Sequence, residues 1–358
     1  PSPTPSPAPA AVAGPRTGRL RWRAQLEYIG AGPVAGPDLV YVGDLRTVRA
    51  LDVGTGEPRW STPGDGEFRA ALALDGATLV AANADGHVYA LDAATGDLRW
   101  RRRVGDFTDT DPVVAGGGVY ALGVPADDSS DTGDVVALDA GTGSRRWTRT
   151  VPVRRRNPVH VSGDTVLVST ADALLALDAR SGSQRWSGAL PEPGPAAAAA
   201  GTAYCGDATG AVHAFDLATG AALWTAGASP DELRGPPWLD AGPGRIYFCD
   251  GTGNLVMVDL AGRSVGWQVA AGASSPPVVR DGRAVVAGYH VVHAVDAVSG
   301  RPQWRFDAAD APADPLDGGG YFDERPRPAV TDDSVYFADA DGAFFALDVA
   351  GGDAQAPG

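Results

Sequence analysis

Eight copies of an ALDxxTGxxxW-type unit, four strand-like segments in each complete unit, and the absence of helical apolar spacing predict an all-β protein. The expected architecture is an eight-bladed β-propeller built from four-stranded antiparallel blades. The unit contributes an aspartate at Asp52, Asp92, Asp139, Asp178, Asp216, Asp259, Asp296 and Asp348. The intervals between these positions are 40, 47, 39, 38, 43, 37 and 52 residues, which is the length of one propeller blade.

The second unit illustrates the four strands. They are expected at 68–76, 78–84, 87–92 and 97–103, separated by short turns rich in Gly and Asp. Segments of this length, with β-branched and aromatic residues, favour antiparallel pairing over helices.

The motif residues have a structural interpretation. The Asp carboxylate can accept hydrogen bonds from turn amides, and the following Gly permits a positive φ. The outer strand then brings a tryptophan that can bury its ring against the neighbouring blade. We therefore predict a structural docking girdle of eight tryptophans: Trp22, Trp60, Trp100, Trp147, Trp186, Trp224, Trp267 and Trp304. The sixth copy, VDLAGRSVGW, is degenerate, with its glycine shifted to Gly262.

The two ends of the chain are expected to complete one blade. Asp348 has no motif tryptophan after it, and Trp22 has no motif aspartate before it. We infer that residues 17–25 supply the outer strand of the blade whose inner strands lie near 326–348. Such closure leaves no incomplete blade at the seam.

ALDAATGDLRW and the related segments resemble the tryptophan-docking motif of the PQQ-type β-propeller repeat family. The resemblance covers nearly all of residues 17–352 and is more specific for fold than for function. The family includes quinoprotein dehydrogenases, the lipoprotein of the outer-membrane β-barrel assembly machinery, and propeller sensor regions of bacterial Ser/Thr kinases.

Composition indicates how the chain is divided. Residues 1–16 are rich in Pro and are expected to form an extended linker, followed by the propeller at 17–352 and a disordered tail at 353–358. The formal net charge is −15 and the chain contains no Lys, which argues against nucleic acid as a partner. No apolar run is long enough to predict a transmembrane segment in this chain.

The sequence offers no recognisable catalytic, cofactor or metal site. Quinoprotein dehydrogenases of the resembling family use PQQ, a calcium ion and acidic catalysts, and many have a disulfide between adjacent cysteines. Here Cys205 and Cys249 are far apart in sequence and are expected to be buried free thiols. DADG at 339–342 is expected to be a hairpin turn, because the twelfth position of a calcium loop would be Ala350 instead of Glu. We predict no cofactor, no metal and no enzymatic activity.

The candidate binding face is the end of the propeller that carries the longer loops. Loops between the second and third strands and loops between blades emerge together and include 123–134, 151–158, 227–238 and 306–328. The candidate binding residues on this face are Arg154, Arg155, Arg156, Trp238, Tyr321 and Phe322. Solvated surface loops and, for Trp238, local packing are the alternatives.

These observations predict a monomeric, non-catalytic propeller that binds a protein partner or a small ligand. The resemblance and the Pro-rich segment favour the sensor region of a membrane-associated bacterial Ser/Thr kinase or a lipoprotein of the outer-membrane assembly type. The expected location is extracytoplasmic, with tethering through an upstream segment, and a cytoplasmic kinase-linked form is the alternative. A PQQ-dependent dehydrogenase is the alternative function.

Overall fold

The computed structural model describes residues 16–26, 29–125, 131–153, 157–240, 242, 244–273, 275–288, 290–308, 327–339 and 342–350. Its strands form eight sheets, seven of four strands and one of five, which confirms the predicted eight-bladed propeller. Blades are numbered 1 to 8 in chain order, and each runs from an innermost strand at the central axis to an outermost strand at the rim. Within the described ranges, no helix has the length and apolar character needed to cross a membrane.

The first half of the chain builds blades 1 to 4. Two strands precede them, β1 (Arg16–Thr17) and β2 (Arg19–Gln25). Blade 1 contains β3 (Ile29–Ala35), β4 (Leu39–Asp44), β5 (Thr47–Asp52) and β6 (Pro58–Pro63). Blade 2 contains β7 (Ala73–Asp75), β8 (Thr78–Asn83), β9 (His87–Asp92) and β10 (Leu98–Arg103). Blade 3 contains β11 (Val113–Ala115), β12 (Gly118–Gly123), β13 (Thr132–Asp139) and β14 (Arg145–Pro152). Blade 4 contains β15 (His160–Ser162), β16 (Thr165–Ser169), β17 (Ala173–Asp178) and β18 (Gln184–Ala189).

The second half builds blades 5 to 8. Blade 5 contains β19 (Pro193–Ala199), β20 (Thr202–Asp207), β21 (Ala211–Asp216) and β22 (Ala222–Gly227). Blade 6 contains β23 (Leu233–Asp240), β24 (Arg245–Asp250), β25 (Asn254–Asp259) and β26 (Ser264–Ala270). Blade 7 contains β27 (Val278–Arg280), β28 (Arg283–Ala287), β29 (Val291–Asp296) and β30 (Pro302–Asp307). Blade 8 contains β31 (Ala329–Val330), β32 (Ser334–Ala338) and β33 (Ala343–Asp348).

The N-terminal segment closes the ring, as the sequence predicts. Strand β2 pairs antiparallel with β33, bringing Trp22 opposite Ala346, and so becomes the outermost strand of blade 8. Strand β1 adds a feature that the sequence did not predict. It pairs in parallel with β30 and makes blade 7 five-stranded, with Thr17 opposite Arg305.

The core consists of layers between adjacent blades. Strands β4, β8, β12 and their counterparts are almost completely buried, because each second strand lies between the faces of two neighbours.

Innermost strands are shorter than expected in some blades. Residues 68–72 were predicted as part of a strand, but β7 begins only at Ala73. The amide of Ala71 instead donates to a carboxylate oxygen of Asp111 in the segment leading to the next blade, at 2.7 Å.

Candidate functional site

The rim of the propeller contains the repeated tryptophans. In seven of the eight, the indole Nε1 donates to a backbone carbonyl in the next blade, at 2.8 to 3.3 Å. The acceptor follows the motif aspartate directly, as in the bond from Trp60 to Ala93. The motif glycine of the next blade lies under the indole, and a Cβ added to Gly96 would lie 2.6 Å from the ring of Trp60.

The motif aspartates organise the adjacent turns. One carboxylate oxygen of Asp52 accepts from the amides of Gly54 and Thr55, at 2.9 and 3.0 Å. The other oxygen lies 2.6 Å from the guanidinium of Arg59, and this pairing lowers the pKa of Asp52 to about 2. The same Asp–Arg pairing recurs in blades 2, 3 and 4. These contacts hold the turns and the blade interfaces together.

The sixth copy of the motif departs from this geometry at Arg263. Four residues after the motif aspartate, the other described turns have a glycine with positive φ. In blade 6 this position is Arg263, which adopts a φ of 53°. The indole of Trp224 makes no hydrogen bond to blade 6 among the described contacts and is only partly buried. The glycine shift seen in the sequence therefore replaces, in blade 6, the glycine that lies under the neighbouring indole in the other described turns.

A cavity of about 500 Å³ lies at the centre of the ring. Its wall comes from the innermost strands of blades 1 to 6 and from the segment before blade 8. The lining is mostly proline, alanine and valine, with one tryptophan, Trp238. The lining residues precede or begin the innermost strand in blades 2 to 4 but lie in the second half of that strand in blades 1, 5 and 6. The cavity therefore occupies the middle of the ring along its axis rather than the end that carries the longer loops. We call this end the loop-bearing end; it includes the loops between blades and those between second and third strands.

Prolines make the wall of this cavity unusual. In seven blades a proline lies within or just before the innermost strand: Pro33, Pro112, Pro158, Pro195, Pro237, Pro277 and Pro328. An innermost strand is the edge of its sheet, and proline removes an amide donor that would otherwise lack a partner there. Blade 2 has no such proline, and there Asp111 accepts from the Ala71 amide. The wall is therefore poor in amide donors and keeps its carbonyl acceptors.

Three ionisable side chains line the cavity: Asp111, His160 and Arg327. The Nε2 of His160 accepts from the amide of Ala198 at 3.1 Å, and burial lowers the pKa of this imidazole. His160 is therefore neutral near pH 7. Arg327 lies close enough to donate to the carbonyl of Pro236, at 3.4 Å. Two of these three side chains, Asp111 and His160, are thus used to satisfy backbone amides of the wall itself.

The structure describes only one of the predicted binding residues. Trp238 lies in β23, lines the cavity and packs against the hydrophobic layer between blades 6 and 7. Arg154, Arg155, Arg156, Tyr321 and Phe322 lie outside the described residues. The sequence interpretation overlooked Asp111, His160 and Arg327. The recurrence of proline within or just before the innermost strand of seven blades is the signal that could have indicated the cavity wall.

The wall does not fit the quinone cofactor of the dehydrogenases with this fold. PQQ carries three carboxylates, and the quinoprotein dehydrogenases use it together with a calcium ion. Among the described lining residues Arg327 is the one permanent cation. The described part of the chain contains no group of three His, Cys, Asp or Glu side chains placed to hold a metal. The donor set suits an apolar or hydrogen-bond-donating ligand better than a tricarboxylate.

The two cysteines are buried and not bonded to each other. The thiol of Cys205 lies 3.1 Å from the carbonyl of Gly194, and burial raises the pKa of this thiol to about 12. Cys249 lies 3.2 Å from the carbonyl of Ser275. Both thiols therefore act as small core residues, as the sequence predicts.

Four overlapping segments, 10–157, 47–193, 131–269 and 251–355, match the family described as outer membrane protein assembly factor BamB. Together they cover nearly the whole sequence. The chain belongs to this family. Comparison with curated protein sequences gave no match.

Solved structures of low sequence identity share the fold. BamB from Moraxella catarrhalis is 17% identical with a TM-score of 0.72, over 93% of this chain and 100% of that one. Quinohemoprotein alcohol dehydrogenase from Comamonas testosteroni is 16% identical with a TM-score of 0.70, over 95% of this chain and 77% of that one. Sqt1 from Saccharomyces cerevisiae is 12% identical with a TM-score of 0.71, over 94% and 100%. At such identities the likeness shows the fold, which assembly factors and enzymes share.

Proposed function

We propose that this chain is a non-catalytic scaffold that binds a partner protein at its loop-bearing end, in the manner of a bacterial outer-membrane assembly factor. The central cavity carries this proposal. It is about 500 Å³ in volume, has an apolar wall with Trp238 exposed to it, and lies on the axis of the ring that the longer loops surround. A cavity of this size and character suits side chains of a docked polypeptide.

Electrostatics at the same end favour a partner with a basic surface. The net charge of the chain is −15. Acidic residues of the described loops at this end include Asp65, Glu67, Asp106, Asp131, Asp172, Asp231 and Glu232, of which Asp65, Glu67 and Asp106 pair with Arg101, Arg69 and Arg103. Complementary charge would raise the rate of association and orient the partner over the cavity.

Membership of the BamB family supports an extracytoplasmic location at the bacterial envelope. Tethering through a segment upstream of the propeller fits the Pro-rich composition of residues 1–15, which favours extended conformations. The comparisons give no support to a kinase sensor, and this context is therefore not part of the proposal.

Site-specific photocrosslinking in envelope fractions tests the proposal. A benzoylphenylalanine at Trp238 keeps an aromatic ring in the cavity, and the same group at Val298, an exposed turn at the opposite end, serves as the control. We expect a discrete protein adduct from position 238 only. Purification of the adduct and repetition with a variant lacking 310–322 would show whether the 306–328 loop contributes. Equal adducts from both positions, or none, would argue against binding at the loop-bearing end.

The dehydrogenase alternative has a separate test. PQQ with calcium should leave the melting temperature of the protein unchanged, since the described wall has a single permanent cation, Arg327, and the described residues contain no cluster of metal ligands. A saturable rise in melting temperature would favour the quinoprotein function over the scaffold.

A further inference from the structure

The rim of blade 7 shows how an extra strand binds to this propeller. Strand β1 lies parallel to the outermost strand β30, and the amide of Gly18 donates to the carbonyl of Arg305 at 2.8 Å. A Cβ at Gly18 would lie 2.7 Å from Cβ of Phe306, so the added segment approaches closely. The outer edge of a blade is therefore able to accept an extended segment through main-chain hydrogen bonds.

Backbone positions equivalent to that of Arg305 occur on the outermost strands of the other blades. Alternate residues of an outermost strand bond inward to the third strand, and the intervening residues direct their amides and carbonyls outward. Arg305, one residue after its motif tryptophan, is an outward position, as its bond to Gly18 shows. The equivalent residues are Thr225 in β22 of blade 5 and Gln268 in β26 of blade 6. Two residues further along, Gly227 and Ala270 are the next outward positions.

The outer edges of blades 5 and 6 differ in charge from those of the other six blades. Six outermost strands contain at least one arginine, and β6 also has a proline at each end. Charged side chains and prolines are the usual means by which exposed strand edges avoid pairing with other chains. Strands β22 (ALWTAG) and β26 (SVGWQVA) contain neither, and no other strand pairs with their outer edges among the described residues.

Exposed apolar side chains also lie on these two strands, as Leu20 and Leu98 do on the arginine-bearing strands β2 and β10. Leu223 in β22 is 48% exposed and Val265 in β26 is 38% exposed. In blades 1 to 4 the position of Leu223 is an arginine that pairs with the motif aspartate. Blade 5 has lost that cation while keeping its aspartate, Asp216.

We propose that the outer edges of blades 5 and 6 bind an extended, uncharged strand of a partner protein by β-strand addition. The added strand donates amides to outward carbonyls such as those of Thr225 and Gln268, as Gly18 does at Arg305. Its apolar side chains cover Leu223 or Val265, and the lack of charge on both edges selects against a charged segment. This surface lies at the rim and is separate from the loop-bearing end, so it extends the proposed scaffold to a second contact.

Fluorescence anisotropy with a defined probe tests the assignment. The probe is a fluorescein-labelled decapeptide of alternating Thr and Val, compared with the same peptide N-methylated at alternate residues. The test variant is Gly227→Pro with Ala270→Pro, which removes one outward amide from each edge. Gly227 has no positive φ, and a Cβ there would meet nothing within 4 Å. Ala189→Pro, at the same register in blade 4, is the matched control, because β18 carries Arg185.

A second variant restores charge without removing an amide. Leu223→Arg with Val265→Arg introduces cations at positions where blades 2 and 3 already have Arg99 and Arg145. The guanidinium that Leu223→Arg introduces would be able to pair with Asp216 as Arg99 pairs with Asp92. This variant is expected to fold even if the proline variant loses stability. Melting temperatures of all variants are measured alongside binding.

The wild type and Ala189→Pro should bind the decapeptide, while both test variants should lose at least about tenfold in affinity, the equivalent of one or two main-chain hydrogen bonds. The N-methylated peptide should bind weakly to every protein. Absence of binding to the wild type, or unchanged affinity in both test variants, would overturn the proposal. Concentration-dependent self-association that either test variant abolishes would overturn the assignment of the occupant, because a second copy would then use these edges.

Discussion

The indole of Trp22 donates its Nε1 hydrogen to the carbonyl of Val53 at 2.9 Å, joining the last blade to the first. The ring lies against Gly56 and beside Tyr336 and Phe344, with centroids 5.9 and 5.7 Å apart. One side chain from the start of the chain thereby links segments that lie more than 280 residues apart. Closure of the propeller therefore depends on this contact as well as on the pairing of β2 with β33.

Replacing Trp22 by Ala should lower the free energy of unfolding by about 3–5 kcal/mol, because a large buried aromatic is lost and little can fill its place. Trp22→Phe should lose less, since part of the apolar contact remains. Chemical denaturation monitored by circular dichroism measures both. Deletion of residues 1–25 should also lower the melting temperature sharply, whereas deletion of 1–15 should not. Similar effects from the two deletions would contradict this description of closure.

Replacement of Arg263 by glycine is expected to stabilise the protein. Its φ of 53° lies in the left-handed region, which costs a non-glycine residue about 1–2 kcal/mol. Arg263→Gly should therefore raise the free energy of unfolding by about 1 kcal/mol and open space for the indole of Trp224. Arg180→Gly, in the equivalent turn of blade 4 but without a positive φ, should be neutral or destabilising. A loss of stability in Arg263→Gly would show that the arginine side chain makes a compensating contact.

Alanine substitutions at two glycines distinguish the stability cost of backbone strain from that of a steric clash. Gly76 and Gly96 both have positive φ, but a Cβ at Gly76 would meet nothing within 4 Å, whereas one at Gly96 would lie 2.6 Å from the ring of Trp60. Gly76→Ala should cost about 1 kcal/mol from the backbone alone. Gly96→Ala should cost clearly more, because the indole must move away from blade 2. Equal losses in denaturant titrations would mean that Trp60 adapts without penalty.

The repeat predicted the fold well because each copy contains both its turn chemistry and its docking residue. Asp92, Gly96 and Trp100 set the spacing of one blade, and the unmatched Trp22 and Asp348 predicted where the ring closes. The start of β7 was less predictable. An apolar run such as 68–76 does not show that the Ala71 amide donates to Asp111, which precedes the next blade, instead of pairing within the sheet.

The candidate site was harder to predict than the blades. Trp238 was noticed as the one tryptophan outside the repeat, but its place in the cavity depends on the convergence of segments from seven blades, which no local pattern encodes. His160 and Arg327 are ordinary in sequence and become notable only when the ring brings them to one wall. Strand β1 was missed because two residues carry too little pattern to predict pairing.

Stability should fall in acid in a way that depends on the motif carboxylates. Arg59 and Arg146 lower the pKa values of Asp52 and Asp139 to about 2, compared with an ordinary value of 3.8. A carboxyl whose pKa is lower in the folded state stabilises the protein above the unfolded pKa, and this contribution disappears as the pH falls from about 4 towards 2. The double variant Asp52→Asn with Asp139→Asn should therefore be less stable than wild type at pH 6 and closer to it at pH 2. Asp75→Asn is the control, because this exposed aspartate at the end of β7 makes no ion pair among the described residues. Free energies of unfolding measured from pH 2 to 7 would test this prediction. If the difference in free energy of unfolding between wild type and the double variant stayed constant across this range, these carboxylates would not account for the acid sensitivity.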